Sequence, residues 1–233
     1  MPFLDRHDAG RRLAERLRGL RDPKTVLLAL PCGGVPVAYQ VAKALDVSLD
    51  VAIVRRLTVP YQPSLVFGAL AEDGSVQYDA EIIERALVSE PERVAVTREQ
   101  RVQLRHTVTR FRGDRPRVPL AGATAVIVVD GLDTAVTARA GIEMARKNGA
   151  SRVLLAAPVA TAGALRVLTG VADRVVCLET PSLFGSIRPW YRDFGEVAEA
   201  EARALLVRAA DDLEVGARTS TVGSRSESAR LTR

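Results

Sequence analysis

The chain has 233 residues, 47% of them hydrophobic, which is enough to bury a full core as one domain, and no window approaches twenty uncharged apolar residues, so no membrane-spanning segment is expected. Much of the formal charge of +5 sits in residues 216–233, where four arginines accompany one glutamate; the remainder is nearly balanced, and nucleic acid is not an expected partner. Cys32 and Cys177 form neither a disulfide framework nor a metal-ligand spacing, and the charged amino terminus is unlike a signal peptide, so a cytoplasmic protein is expected.

From the amino end, apolar spacing predicts an amphipathic helix over about Arg6–Leu20, with Leu13 and Leu17 on one face. Val26-Leu-Leu-Ala-Leu30 reads as a buried strand. The tight turn Pro31-Cys32-Gly33-Gly34 then leads into a second amphipathic helix ending at Leu45, and Leu49–Val54 is the next strand. The stretch from about Thr58 to Ser75 holds Pro60, Pro63, Gly68 and Gly74; it is punctuated rather than periodic, which predicts a lid-like loop. Helices are predicted over about Ala80–Leu87 and, after a fresh start at Ser89 and Pro91, about Pro91–Phe111, whose arginines form a solvated face. A linker, Gly113–Gly122, precedes the strand Ala125–Val129. Helix Thr137–Asn148 is stopped by Gly149, followed by strand Arg152–Ala157, helix Ala162–Leu168, strand Val175–Leu178 and a last helix, Ala198–Ala209. Residues 211–233, rich in Ser, Thr, Gly and Arg, are expected to be a disordered basic tail, leaving 1–210 as the domain. The alternation implies an α/β fold with an open, mainly parallel, doubly wound sheet, whose right-handed crossovers bring the turns after residues 30 and 129 to the same carboxyl edge.

The most informative segment is Thr124–Thr137. Asp130 stands where the apolar strand leaves the core, and residues 134–137 can offer successive backbone N–H groups and two hydroxyls, those of Thr134 and Thr137, to a phosphate at the positive end of a helix. An ordinary strand-to-helix turn capped by Asp133 or Thr134 is the alternative. Gly33 and Gly34 allow backbone N–H groups to approach an anion closely. Cys32 would need an adjacent base or cation to act as a nucleophile, and His7 and His106 adjoin no motif.

Together with Arg55-Arg56-Leu-Thr-Val-Pro60, Phe67-Gly-Ala-Leu-Ala-Glu-Asp-Gly74 and Trp190-Tyr-Arg-Asp-Phe194, these segments resemble the type I phosphoribosyltransferase family, in particular a bacterial branch of it, over roughly residues 4–209. The resemblance implies a small hood, a mobile lid loop, and transfer of a phosphoribosyl group from 5-phosphoribosyl 1-pyrophosphate (PRPP), with Mg2+, to a base-like nitrogen acceptor. On it, Asp130 would hold a ribose hydroxyl and is also the candidate metal ligand. Gly131, Leu132, Asp133, Thr134, Ala135, Val136 and Thr137 would surround the sugar phosphate, and Cys32, Gly33 and Gly34 the pyrophosphate. Arg55 and Arg56 would neutralise the leaving group, with solvated strand-end arginines as the alternative. Asp133 would help an acceptor lose a proton, or act as a helix cap. Glu179, Trp190 and Tyr191 would face the acceptor, the aromatic rings serving either to stack on a planar base or to plug the hood. Glu72 and Asp73 are either ligands of magnesium or hydroxyls, or surface turn acids. A homodimer is implied by the family's habit.

Three positions depart from the family's pattern. Val129 replaces the first of two adjacent acids, Ala135 replaces a glycine, and Cys32 replaces an arginine. One lost hydrogen bond from a sugar hydroxyl to a carboxylate is worth about 1.5–3 kcal/mol, or roughly one to two powers of ten in affinity. An alanine for the glycine would cost most if the backbone there required positive φ. The leading expectation is a phosphoribosyltransferase whose site is partly altered. A non-catalytic relative using the pocket to sense a nucleotide is the alternative, and an RNA-binding regulator acting through the tail is a third.

Overall fold

The computed structural model describes residues 2–113 and 115–228. Asp5 opens the first helix, α1 (Arg6–Leu17), by accepting a hydrogen bond from Asp8 N, and a 3-10 turn over Arg18–Leu20 completes the predicted segment. Next come β1 (Thr25–Ala29), α2 (Gly34–Leu45), β2 (Ser48–Val51), β3 (Val54–Val59), β4 (Gln62–Ala71), β5 (Val76–Tyr78) and α3 (Ala80–Arg85). Helix α4 (Glu90–Arg112) starts at a capping box formed by Ser89 and Glu92. The chain finishes with β6 (Thr124–Val128), α5 (Val136–Lys147), β7 (Arg152–Val159), α6 (Ala162–Thr169), β8 (Arg174–Glu179) and α7 (Glu199–Ser228).

Five strands form one all-parallel sheet in the order β2-β1-β6-β7-β8. Register explains why both faces are apolar. Leu49, Leu27, Val126 and Leu154 lie in one row facing α1, α2 and α7, while Leu28, Ile127, Leu155 and Val175 lie in the next row facing α5 and α6. Because side chains alternate at period two, a parallel strand buried on both faces is apolar along its length, as Val26–Ala29 of β1 and Ala125–Val128 of β6 are. The strand order reverses between β1 and β6, so the crevice beyond their carboxyl ends is the place where such a sheet opens to a ligand.

The predicted loop over 58–75 is instead a hairpin. β3, β4 and β5 make a separate antiparallel sheet whose turn is Pro60–Tyr61, with Val59 paired to Gln62. Leu57, Val59, Phe67 and Leu70 are fully buried, which supplies the apolar face that makes these segments strands. Gly68 lies within β4, where a Cβ would approach Gln77 O to 2.7 Å, so this glycine permits close strand packing rather than marking a loop.

A buried ionic knot ties this hairpin to the main sheet. Arg112, at the end of α4, donates from Nη1 to both oxygens of Asp50 (3.0 and 2.9 Å), from Nε and Nη2 to Glu72 (3.0 and 2.9 Å), and from Nη2 to Val51 O (2.9 Å). Every guanidinium donor is thereby used. Burial by itself would lower the basicity of Arg112, but Glu72 and Asp50 more than offset it and hold the guanidinium above its ordinary value. Glu72 also meets Arg117 at 3.2 Å and its side chain is 1% exposed, so the expectation of a metal or surface acid is corrected to a structural counter-ion. Asp73 is an exposed turn acid accepting from Ser75.

The backbone remains helical well past residue 210. Tyr39 Oη donates to Asp212 Oδ2 at 2.9 Å, fastening α7 to α2 beyond the point where the sequence places the domain end. The last five residues of the expected tail lie outside the described residues. Among the described residues, no helix is long and apolar enough to cross a membrane.

Candidate functional site

Beyond Val128 the chain does not leave the sheet at once. Val129 N donates to Ala156 O, and Leu132 N donates to Val159 O while Leu132 O accepts from Thr161 N. Leu132 therefore bridges to Ala160 and is 2% exposed. The side chains of Leu132 and Val136 are buried in the core beneath the loop, so these residues could meet a ligand only through their backbone; Leu132 also lines the pocket that the loop forms with the turn after β1. The exposed part is Asp133 and Thr134, where Asp133 Oδ1 accepts from Thr134 N at 2.8 Å. No side chain caps α5. Asp133 is thus not its cap, and the early N–H groups of the helix, before the bond from Arg139 N to Ala135 O, have no intrahelical acceptor. Ala135 has φ −83°, ψ −20°, so the absence of glycine at this position costs nothing in backbone strain.

The loop and the turn after β1 enclose a pocket of about 100 Å³, lined among others by Gly33, Arg56, Asp130, Asp133 and Thr137. Gly33 is there for contact: a Cβ would overlap the Asp130 carboxylate. At Gly34 a Cβ would lie 2.7 Å from Val128 O, so this glycine lets α2 start against the end of β6. The Pro31–Cys32 peptide is cis. Cys32 is half-buried, and its thiol is pushed above the ordinary value by burial first and then by Glu199 and Glu196. A neutral thiol is a poor nucleophile. Its alkylation rate should therefore rise at higher pH in the folded chain than in urea, as read by peptide mass spectrometry after pulsed iodoacetamide; a midpoint shifted to lower pH would mean an activated thiolate.

The two arginines of β3 part company, as alternation along a strand requires. Arg56 is exposed and lines the pocket, whereas Arg55 turns to α4 and donates to Gln100 Oε1 at 3.1 and 2.9 Å. The expectation of paired arginines at the pocket is corrected to Arg56 alone. The hood residues are also elsewhere. Tyr191 is 5% exposed, its ring 5.3 Å from that of Phe3 and 5.0 Å from that of Phe194, in a satellite core that partly buries Trp190. Tyr191 is thus a plug, closed to a planar acceptor. Its phenol is held well above the usual range, by burial first and then by the Asp130 charge, with Arg6 opposing; it donates to Asp130 O at 2.5 Å. Glu179 ends β8, where its carbonyl accepts from Ala160 N, and it does not line the pocket.

Arg6 is the residue that sequence reasoning missed. Its Nε donates to Asp130 Oδ2 at 2.9 Å, its Nη1 to Gly195 O at 2.7 Å, and its guanidinium lies 3.9 Å from the Phe194 ring centre. Both members of the ion pair are largely buried, at 11% and 20% side-chain exposure. One arginine among the many of α1 gives no signal in sequence; its importance arises from a contact across 124 positions. Asp130 consequently has one oxygen engaged, while Oδ1 has no hydrogen bond among the described residues.

No family model matches the chain. Two Mycobacterium tuberculosis proteins, from strains CDC 1551 and H37Rv, are each 45% identical over 216 residues, 92% of this chain, and both carry the name "Putative phosphoribosyl transferase". The chain spans about half the length of these curated relatives (49%). The crystal structure of TT1426 from Thermus thermophilus is similar with a TM-score of 0.75 and 35% identity, covering 89% of this chain and 99% of that one.

Proposed function

Because the chain belongs to the type I phosphoribosyltransferase family, we propose that the pocket between β1 and β6 binds PRPP or another ribose 5-phosphate ligand and supports transfer of the phosphoribosyl group to a nitrogen acceptor. The observation that carries this reading is the convergence on one small pocket of Asp130, Thr137 and Arg56, beside a helix start that no side chain caps. The N–H groups of residues 135–137 and the hydroxyls of Thr134 and Thr137 suit the 5′-phosphate. Asp130 Oδ1 suits a ribose hydroxyl, and Arg56 suits the pyrophosphate. In the transfer, the bond from C1 to the pyrophosphate oxygen breaks as the acceptor nitrogen bonds to C1, and pyrophosphate leaves with the electron pair. Positioning and neutralisation of that departing charge are what these residues supply. Asp133, exposed at the pocket wall, would in this reading take the acceptor's proton.

Magnesium would arrive with the substrate, chelated by the pyrophosphate. Among the described residues no three His, Cys, Asp or Glu side chains converge on a cation site, and Arg6 holds one oxygen of Asp130, so the chain offers one carboxylate oxygen rather than a cage. The rival reading, a binding protein without turnover, is favoured by the neutral Cys32 thiol and the buried, apolar Val129 at positions where the family's pattern places an arginine and an acid.

Titration calorimetry with PRPP and magnesium, beside ribose 5-phosphate, tests the proposal. Both should bind, and Asp130→Ala should weaken both about tenfold, the loss of one charged hydrogen bond. Absence of heat with either ligand would remove the proposal. Binding without pyrophosphate release across a panel of bases would favour the rival.

A further inference from the structure

The phosphoribosyl reading leaves open how the pocket treats the two ribose hydroxyls, and the geometry around Asp130 bears directly on it. A carboxylate has two oxygens. Oδ2 is bonded to Arg6 Nε at 2.9 Å, and it also faces Gly33 so closely that no Cβ could fit between them. Arg6 cannot readily swing away, because Gly195 O accepts from its Nη1 at 2.7 Å and the Phe194 ring lies under its guanidinium. Backbone movement of Asp130 is checked too, since Tyr191 Oη donates to its carbonyl. The neighbouring pocket residue, Val129, is 4% exposed and has no polar side-chain atom.

We infer that Arg6 is a specificity-determining residue that leaves a single carboxylate oxygen for the sugar, so that the pocket accepts 2-deoxyribose 5-phosphate about as well as ribose 5-phosphate. This rests on the phosphoribosyl reading above and deepens it. One hydroxyl hydrogen-bonds to Oδ1. The other meets no second charged acceptor, so its removal costs the ligand little. A pocket that paired both hydroxyls with charged acceptors would prefer the ribose form by roughly 10- to 150-fold.

The experiment is titration of the full chain with ribose 5-phosphate and 2-deoxyribose 5-phosphate, repeated with Arg6→Met and Arg6→Lys. The wild-type affinities should agree within about threefold, and Arg6→Lys, which keeps a donor for Oδ2, should behave alike. Arg6→Met frees Oδ2 and should open a preference of about tenfold or more for the ribose form. A tenfold ribose preference in the wild type would overturn this inference while leaving the phosphoribosyl proposal standing; failure of both sugars to bind would overturn the two together. Equal affinities in a folded Arg6→Met, checked by its thermal transition, would show that Arg6 is not what limits Asp130. Should Arg6→Met not fold, the wild-type comparison and Arg6→Lys still decide.

Discussion

Replacing Arg112 with methionine is expected to destabilise the protein by about 3–5 kcal/mol, measured as a lowered urea midpoint at unchanged slope. The loss comes from what remains. Asp50 is 4% exposed and the Glu72 side chain 1%. Among the described residues, Arg117 would then be the one cation left to reach Glu72, beside the Ile53 N–H, while Asp50 would keep the N–H groups of Val51 and Val118 and no cation within reach. Two carboxylates would be stranded in a low-dielectric place with one partly exposed counter-ion. Replacing Asp50, Glu72 and Arg112 together by apolar residues of similar volume should cost far less than the single change, since desolvation offsets much of what a buried ion knot gains. A single variant as stable as the wild type would mean that water reaches the knot.

In the proposed pose, Arg56→Gln should weaken PRPP binding by about 10- to 150-fold while leaving ribose 5-phosphate within about twofold, because the charge meets the pyrophosphate and not the sugar ester. Arg55→Gln is the internal control. Its guanidinium is committed to Gln100, so affinity for either ligand should hold. Competition calorimetry reads all four combinations. Equal losses for both ligands in Arg56→Gln would place the arginine at the 5′-phosphate, and no loss would remove it from the site.

The layered architecture was legible because burial on both faces of a parallel strand leaves a continuous apolar run, as at Val26–Leu30 and Ala125–Val129, and because caps such as Ser89 announce helix starts. The hairpin at 54–71 was not, since prolines and a glycine mark loops and tight strand pairs alike, and only the partner strand tells which. At the site, position along the chain identified Asp130, Asp133, Thr137, Gly33 and Arg56 as neighbours of one edge. Direction was another matter. Whether Arg55 or Arg56 looks into the crevice depends on strand phase, and whether Leu132 lines or underlies the loop depends on a bridge to Ala160. The pairing of Arg6 with Asp130, and the use of Tyr191 as a wedge against Phe3, are topological facts with no local trace.

The clasp on Asp130 also joins distant parts of the chain. Arg6 holds the Asp130 carboxylate and is itself held by Gly195 O, while Tyr191, paired with Phe3, holds the Asp130 main-chain carbonyl, so segments far apart along the chain meet at one residue. β1, β6 and the start of α5 can therefore assemble through contacts of their own, but aiming the Asp130 side chain requires the segments around residues 6 and 191–195 to have docked as well.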